Sequence, residues 1–290
     1  MNKRELGRRF WWCVVGIAVL SLGGGVPVGG EEAASVTFLG NEGFLIESGD
    51  ISVVVDGFYR GLSGYSAPTD DQRRVREEAA PPFDRVDVVL ATHHHADHFD
   101  AGVMTEFLLS NTNAVLVTTP TAVGRLRAHD SFGSIADRTR AVFPPEGEPL
   151  AVEIAGVEIE IFNLHHGRSR KPLVENLGFV LDLGGLRMLH IGDTESTPEE
   201  LAALDLSDRG IDVAFVPYWH LHDTTTARSY LEAISATRVV AMHFPAEDAP
   251  EGYLEPAKDL GGLIRLVEKA APGVIIFNGV MDERKIRTGG

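Results

Sequence analysis

A dense group of histidines lies at positions 93–98, where the sequence runs His-His-His-Ala-Asp-His. It directly follows the largely apolar stretch 86–90, whose composition favours a buried strand. Side chains two positions apart on a strand point to the same side, so we expect His93 and His95 to face one volume and His94 to face away. Imidazole nitrogens directed at a common volume are typical ligands of zinc and similar divalent ions.

Asp97 and His98 continue this group into the turn that follows the strand. The backbone of a turn can direct both side chains to the same volume from a second direction. Carboxylate oxygen and imidazole nitrogen together suit a divalent cation. The alternative, a run of solvated surface histidines, does not account for the buried strand directly before them. The pattern therefore predicts a metal site.

Further polar residues that can bind metal recur at the ends of predicted strands, at His165, His166, Asp193 and His243. In layered α/β folds, ligands collect beyond the ends of the strands. We therefore expect several of these side chains to converge on one edge of the fold. This expectation does not rest on any single position. It rests on the recurrence of metal-binding residue types at the ends of several strands.

The composition limits what could hold a metal and what the protein could bind. The chain has 290 residues, 44% of them hydrophobic and 23% charged, which is typical of a globular protein. Cys13 is the only cysteine, so a thiolate metal site is excluded and any metal must be held by His, Asp or Glu. The net charge of −16 argues against binding to nucleic acid, which requires a basic surface.

The first 30 residues have the layout of a secretory signal. Four basic residues precede the apolar run 10–22, and small residues fill positions 23–30. The apolar run is short for a membrane span, which needs about 20 residues. We expect an exported, periplasmic or secreted protein; an uncleaved anchor over residues 10–28, which would place the protein at a membrane, is the alternative.

Residues 31–290 are expected to form a single domain. Removing residues 1–30 takes away four basic residues and Glu5, so the net charge becomes −19. Three short strands at 35–39, 43–47 and 51–55 open this domain as an antiparallel meander. Strands and helices then alternate, with helices expected at 101–110, 121–129, 197 onward, 224–234 and 258–270, and a last strand at 273–277.

Residues 59–85 differ from the rest of the domain because they are rich in Gly, Ser, Pro and charge, without apolar periodicity. A long segment of this kind in a compact domain is either functional or a mobile surface excursion. It leaves the predicted sheet next to Asp56, close to the expected site. We therefore predict a candidate lid that carries Tyr59 and Tyr65.

The spacing of the ligand candidates resembles that of the metallo-β-lactamase superfamily. The pattern is His93-x-His95-x-Asp97-His98, a histidine about 70 residues later, then Gly192-Asp193 and finally His243. Within the superfamily, it is similar to the broad branch that includes ascorbate-6-phosphate lactonases and N-acylphosphatidylethanolamine phospholipases. The resemblance implies an α/β fold, the αββα four-layer sandwich, with two divalent metal ions at one edge of the sheets.

The resemblance also implies which residues bind each metal. The first metal is expected at His93, His95 and a later histidine, and the second at Asp97, His98 and His243. Asp193 would bridge the two metals, and a hydroxide between them would be the nucleophile, which makes Asp97 and Asp193 part of the catalytic machinery. For the later histidine we favour His166, because it directly precedes Gly167, and His165 stays open.

Zinc is the expected metal, and manganese or iron could use the same donors. Two cations about 3.5–4 Å apart lower the pKa of a shared water and clamp the attacking and leaving oxygens. A histidine at position 95 favours hydrolysis over redox chemistry at a di-iron site, for which an acidic residue would be better suited.

Several neighbouring residues are candidates for other roles. His220 is a candidate acid for the leaving group or a substrate contact, with loop packing as the alternative, and Trp219 is a candidate pocket wall. His94 and His190 are expected to lie outside the ligand set. Relatives often have a histidine in the first turn, where this chain has Asn41-Glu42, so a substrate contact there does not transfer.

The sequence therefore predicts a metal-dependent hydrolase that acts on an ester, a lactone or a phosphodiester of a small or lipid-like molecule. A β-lactam hydrolase is the first alternative, although a zinc β-lactamase usually has other residue types at the bridging position. A non-catalytic metal-binding scaffold is the second alternative. A nuclease is disfavoured by the charge of −19, which offers no groove for a polyanion.

Overall fold

A meander of short strands begins the part of the chain that the structure, a computed structural model, describes: residues 33–167 and 173–287. The expected secretory signal at residues 1–30 lies outside these ranges. Within them, seven strands form one sheet in the order β13-β1-β2-β3-β4-β5-β6. These strands are β1 (Ala33–Gly40), β2 (Gly43–Ser48), β3 (Ile51–Val55), β4 (Val88–Leu90), β5 (Val115–Thr118), β6 (Thr139–Ala141) and β13 (Glu283–Arg287).

The second sheet in the described ranges has six strands in the order β12-β11-β10-β9-β8-β7. Its strands β10, β11 and β12 are parallel, and the remaining pairs are antiparallel. The strands are β7 (Leu150–Ile154), β8 (Val157–Asn163), β9 (Leu177–Asp182), β10 (Arg187–His190), β11 (Val213–Pro217) and β12 (Arg238–Met242).

Helices cover the outer faces of the two sheets. They are α1 (Asp70–Glu77), α2 (Ala101–Ser110), α3 (Pro120–Leu126), α4 (Phe132–Ile135), α5 (Pro198–Ala202), α6 (Thr224–Ile234) and α7 (Leu260–Ala270). Thr69, Asp100, Thr119, Thr197, Asp223 and Asp259 each cap the N-terminus of a helix with a side-chain oxygen. Every helix in the two described ranges is too short or too polar to span a lipid bilayer.

Two apolar layers hold the elements together. The first fills the space between the sheets, where the Phe44 and Phe215 ring centroids are 4.5 Å apart, and extends to α6 and α7. The second packs the first sheet against α1, α2 and α3, with Phe58 and Phe107 stacked at 4.1 Å. Layers of helix, sheet, sheet and helix result, so the αββα sandwich expected from the sequence is confirmed.

Most predicted elements agree with the structure, and the helices at 101–110 and 224–234 agree in both bounds. The strand predicted at 273–277 is wrong, because this segment forms only an isolated bridge between Ile275 and Val240. The last strand is β13, a largely polar segment that pairs with β1 along the edge of the first sheet. An edge strand exposes much of its surface and therefore lacks a strong apolar pattern.

The segment 59–85 also differs from the expected lid loop, since it contains α1 and a 3₁₀ turn at Phe83–Arg85. Tyr59 is fully buried and its hydroxyl donates to the carbonyl of Ser66, so it belongs to the core and not to a lid. Only Tyr65 of the two tyrosines approaches the site. Sequence reasoning missed α1 because the residue that it buries most deeply is an arginine, Arg76.

The side chain of Arg76 is held in the core by hydrogen bonds to backbone carbonyls, where a helix usually buries an apolar side chain. Its guanidinium donates to the carbonyls of Gly57 and Leu39, both at 2.8 Å. Replacing Arg76 with methionine should lower the free energy of unfolding by roughly 2–4 kcal/mol, because each buried acceptor left without a partner costs about 1–3 kcal/mol. Arg74→Met on the exposed face of the same helix should change stability by less than about 0.5 kcal/mol. Urea denaturation of both variants tests this, and equal losses would contradict it.

Candidate metal centre

The predicted ligands meet at one edge of the sandwich, although they come from four different loops. Residues 93–98 follow β4, His166 follows β8, Asp193 follows β10 and His243 follows β12 directly. Each loop begins where a buried strand ends, so the two sheets fix the starting points of all four. The recurrence of polar residues at strand ends therefore reflects a real convergence in space.

One side of the cluster consists of three histidines. The ring atoms of His93, His95 and His166 lie within 4.8 Å of each other and of an Asp193 oxygen. Nε2 of His93 and Nε2 of His166 are each 3.7 Å from Oδ2 of Asp193. Nε2 of His166 is 3.3 Å from Nδ1 of His95. Three imidazoles and one carboxylate oxygen around a common volume match the donor set of a zinc site.

The other side of the cluster combines Asp97, His98 and His243. Nε2 of His98 and Nε2 of His243 lie 3.6 and 3.5 Å from Oδ2 of Asp97. The same two nitrogens lie 3.4 and 3.1 Å from Oδ1 of Asp193. This second group therefore also encloses a volume bounded by nitrogen and oxygen donors.

Asp193 stands between the two groups with one oxygen toward each. Oδ2 faces His93 and His166, whereas Oδ1 faces His98 and His243. A carboxylate that bridges two cations must present its oxygens in this divided way. The geometry fits the bridging role inferred from the resemblance.

Buried atoms without hydrogen bonds test whether the cluster suits metal ions. Nε2 of His93, Nε2 of His243 and Oδ1 of Asp193 are buried and make no hydrogen bond of acceptable geometry to any described residue. Buried polar atoms are rarely left in this state, because each unmade bond costs free energy. Cations in the two volumes would satisfy all three atoms, so the residues fit a pair of divalent ions.

The electrostatics differ between the two sides of the cluster. Burial lowers the pKa of His93 well below its usual value, lowers the pKa of His95 to about 4 and also lowers the pKa of His166. All three imidazoles are therefore neutral near pH 7, and a neutral imidazole is the form that binds metal.

On the second side, carboxylates outweigh the effect of burial. Burial acts to lower the pKa of His243, but Asp193 and Asp97 raise it to about 10. Burial acts to raise the pKa of Asp193, but His243 and His98 hold it well below its usual range. Asp193 is therefore ionised and strongly attracts positive charge into the space between the groups.

Two further polar residues hold the cluster in place. Asp56 accepts hydrogen bonds from the backbone N–H and the hydroxyl of Thr92, at 2.7 and 2.6 Å, and lies 2.9 Å from Nδ1 of His98. This contact fixes the His98 ring so that Nε2 faces the site. The side chain of Asn41 donates to Oδ2 of Asp97 at 3.2 Å.

Gly192 is required by the turn that presents Asp193. Its φ of +54° is a left-handed conformation that side chains disfavour. A Cβ at this position would also lie 2.6 Å from Oδ1 of Asn176 and 2.9 Å from Cβ of Thr92. The Gly-Asp pair therefore combines a close approach of the backbone with the central carboxylate.

The structure separates the adjacent histidines that the sequence left open. His166 lies in the cluster, whereas Nε2 of His165 lies 3.0 Å from the exposed Glu146. His94 and His190 lie outside both groups of predicted ligands, as expected, with Nε2 of His190 3.0 Å from the carbonyl of Glu42. The ligand roles of the converging residues stay predictions.

The expectation that His220 acts as the leaving-group acid is not supported by its position. The side chain is buried, stacks on Tyr230 at 3.9 Å and donates from Nε2 to the carbonyl of Thr194 at 2.8 Å. That carbonyl directly follows Asp193, so His220 fixes the backbone that carries the central carboxylate. A nitrogen engaged with the backbone has no proton available for a substrate.

Replacing His220 with phenylalanine should therefore lower kcat only about tenfold or less, because one hydrogen bond worth about 1 kcal/mol is lost and the stacking is kept. Burial lowers the pKa of His220 to about 4, so its imidazole is neutral at pH 7 and the substitution with phenylalanine removes no charge. The pH profile of kcat should keep its shape in the variant. A lost basic limb together with a fall of 100-fold or more would restore the role of general acid.

Two buried acids at the site were not assigned to it from the sequence. Asp56 was noted only as the end of β3, and Glu42 only as a departure from the pattern of relatives. Both are within 4.8 Å of a His98 nitrogen, and Glu42 is also within 4.8 Å of donor atoms of Asp193 and His243. The available signal was an acidic residue at the end of an otherwise apolar strand or turn.

An αββα sandwich with such a cluster at the edge of its sheets defines a metal-dependent hydrolase of the metallo-β-lactamase type. The chain belongs to the β-lactamase superfamily, since the family model described as the beta-lactamase superfamily domain matches residues 35–243. This match confirms the family and the enzyme class that the spacing of the histidines and aspartates predicted.

Individual relatives agree with this assignment. The chain is 28% identical over 215 residues to a UPF0173 metal-dependent hydrolase of Pyrococcus furiosus, covering 72% of this chain and 84% of that protein. It is 32% identical over 136 residues to cGMP-dependent 3',5'-cGMP phosphodiesterase A of Dictyostelium discoideum, covering 45% of this chain but 14% of that protein. The metallo-beta-lactamase fold protein YhfI of Bacillus subtilis has a similar structure, with a TM-score of 0.58, 12% identity and coverage of 88% and 100%.

Proposed function

We propose that the protein is a two-metal hydrolase that cleaves an ester, a lactone or a phosphodiester. The observation that carries this proposal is the position of Asp193, whose two oxygens face two separate groups of donors. A hydrolase with one metal needs a single group, and a carboxylate so placed has no use there. Zinc is the first metal to test, and manganese and iron are the alternatives.

The residues of the chain have distinct tasks in this proposal. His93, His95 and His166 would hold one cation as neutral imidazoles, and Asp97, His98 and His243 would hold the other. A pair of divalent cations bound there would lower the pKa of a water toward neutrality and so supply the nucleophile for hydrolysis. Asp56 would keep the His98 ring oriented, because it accepts a hydrogen bond from Nδ1–H of that ring.

An aromatic wall beside the second group of ligands supports a substrate with an apolar portion. The rings of Tyr65 and Trp219 lie 4.5 and 4.8 Å from the ring of His243. Tyr253 extends the wall, with its ring 5.6 Å from that of Tyr65. Apolar and aromatic walls with a few polar groups are typical of small-molecule sites. The wall favours a small or lipid-like substrate over a highly charged one.

The similarity to a protein named as a phosphodiesterase supports a phosphodiester as one of the substrates to test. A β-lactam remains the alternative substrate because the fold is shared with that class. A polyanionic nucleic acid is disfavoured by the net charge of −16, or −19 without residues 1–30.

The decisive experiment is a substrate panel with zinc- or manganese-reconstituted protein. The panel contains bis-p-nitrophenyl phosphate, a γ-lactone, a phospholipid, an aryl ester and nitrocefin. We expect turnover of one or more of the first four and none of nitrocefin. Turnover of nitrocefin alone would establish the β-lactam alternative, and no turnover with two bound metals would support a scaffold.

We also propose that the protein is exported, on the basis of the basic and apolar segments at its N-terminus. Fractionation of cells that express the full chain should place it in the periplasm or the medium. N-terminal sequencing of the product then distinguishes cleavage near residue 30 from a retained anchor at residues 10–28, in which case the protein would be found at the membrane.

A further inference from the structure

Glu42 is a buried acid at the metal centre that does not belong to the ligand set described above. It lies in the turn between β1 and β2 and its side chain is completely buried. Neither carboxyl oxygen makes a hydrogen bond to any residue in the two described ranges. The nearest nitrogen with which it pairs is Nδ1 of His98, at 3.8 Å. An acid in this state is costly to bury unless something positive compensates it.

The surroundings of Glu42 indicate what the missing positive charge is. A donor oxygen of Glu42 lies within 4.8 Å of donor atoms of both Asp193 and His243. Asp56 and Asp97 are buried in the same region, so four carboxylates gather around His98 and His243. In the part of the chain that the structure describes, these four acids form ion pairs only with histidines and with no Lys or Arg.

The backbone of the turn fixes Glu42 in this position from two sides. Its carbonyl oxygen lies 3.0 Å from Nε2 of the buried His190. The preceding carbonyl, of Asn41, accepts the backbone N–H of His243 at 3.0 Å. The turn is therefore joined to the strand end that presents a predicted ligand of the second metal, and Glu42 cannot move away independently.

From this geometry we infer that Glu42 is an additional anionic ligand at the second metal position, beside Asp97, His98, His243 and the shared Asp193. The inference rests on the proposed two-metal centre and extends it. The second position then has three carboxylates and two imidazoles, whereas the first has three imidazoles and the shared carboxylate. Carboxylate oxygens suit manganese and other hard cations, and imidazoles suit zinc. The two positions are therefore different in their metal preference.

A role as a neutral spacer or as a hydrogen-bond acceptor is the competing explanation, because Nδ1 of His243 has no hydrogen-bond partner among the described residues either. Glu42→Gln distinguishes the two roles. Glutamine has the same length and keeps an oxygen that can accept from an imidazole N–H, but it carries no charge. Loss of a ligand charge therefore affects metal affinity in this variant, whereas a hydrogen bond to His243 would survive.

The test is titration of the full chain, stripped with EDTA, with manganese chloride and separately with zinc chloride. Calorimetry and the EPR signal of free manganese give the affinity of each step. We expect two ions per chain in the wild type. In Glu42→Gln one step should weaken by more than about 100-fold for manganese, beyond the 10- to 100-fold that the loss of a partner outside the ligand set costs, and less for zinc, while the other step stays unchanged. Glu42→Asp, which keeps the charge but shortens the side chain, should weaken the same step.

Glu47→Gln is the matched control, since Glu47 lies on β2 five residues further along and faces Arg85 at 3.9 Å. It should leave both steps unchanged. Two unaltered manganese steps in Glu42→Gln would overturn the inference and leave the two-metal hydrolase intact. Fewer than two ions in the wild type would instead overturn the two-metal proposal and this inference with it. Circular dichroism of each metal-free variant confirms that the fold is retained.

Discussion

Replacing Asp193 with asparagine should lower hydrolysis of any substrate by roughly 10³-fold or more, because metal ions contribute several kcal/mol of transition-state stabilisation. Asparagine keeps the size of the side chain but presents one oxygen and one N–H₂ group. The two oxygens of Asp193 face different groups of metal-binding atoms. On one side the variant therefore loses a metal-binding oxygen and has an N–H₂ group in its place. We therefore expect it to retain at most one tightly bound metal.

The measurements are kcat/KM on the best substrate of the panel and the metal content after gel filtration. Asp50→Asn, at an exposed turn between β2 and β3, is the control and should match the wild type in both. A variant that kept two metals and lost less than about tenfold in kcat/KM would show that Asp193 does not bridge them. A variant with wild-type metal content but no activity would assign Asp193 a different catalytic task.

Removal of the metals should abolish activity and lower thermal stability by about 10 °C. Ligand present at 1,000 times its Kd stabilises a protein by about 4 kcal/mol, and 1 kcal/mol shifts the Tm of a domain of this size by about 2–4 °C. The physical cause is the set of buried atoms that the ions would satisfy. Nε2 of His93, Nε2 of His243 and Oδ1 of Asp193 are buried without a hydrogen bond of acceptable geometry to any described residue, so each of them gains a partner only when metal is bound.

Differential scanning calorimetry of the chain before and after EDTA treatment measures this effect. Addition of zinc or manganese to the stripped protein should restore both the Tm and the activity. Magnesium at the same concentration is the control and should restore little activity, because it binds imidazole poorly and does not suit the first position, which has three imidazoles. An unchanged Tm after complete removal of metal would mean that these buried atoms are satisfied in another way.

The aromatic rings beside one side of the centre also predict where the substrate binds. The aromatic rings of Tyr65 and Trp219 lie against His243, on the side of the second group of ligands. If the substrate packs on these rings, its reacting bond lies nearer to the carboxylate-rich position than to the three histidines. Changes at Trp219 should then alter KM for apolar substrates more than they alter metal content.

The sequence determined the ligand types and most of the elements that carry them. The stretch 93–98 contains four predicted ligands within six residues, so their proximity follows from chain connectivity. The helix at 224–234 and the strand at 51–55 were readable because capping residues and apolar runs are local signals. The family resemblance, which depends on local motifs and their spacing, could likewise be recognised from the sequence.

Only the tertiary structure decided the facts that depend on residues far apart in the chain. It separated His166 from His165, because the end of β8 directs one toward the cluster and the other toward Glu146. It divided the oxygens of Asp193 between two groups of donors, and it placed His220 behind Thr194.

The same reason explains the buried charges that sequence reasoning did not anticipate. Arg76 and Glu42 have the residue types of a solvated surface, and no local pattern marks them as buried. Their burial depends on partners 19 or more residues away, Gly57 and Leu39 for Arg76, and Asp193 and His243 for Glu42. A sequence states the charge of a side chain, but the packing of the sheets decides what faces it.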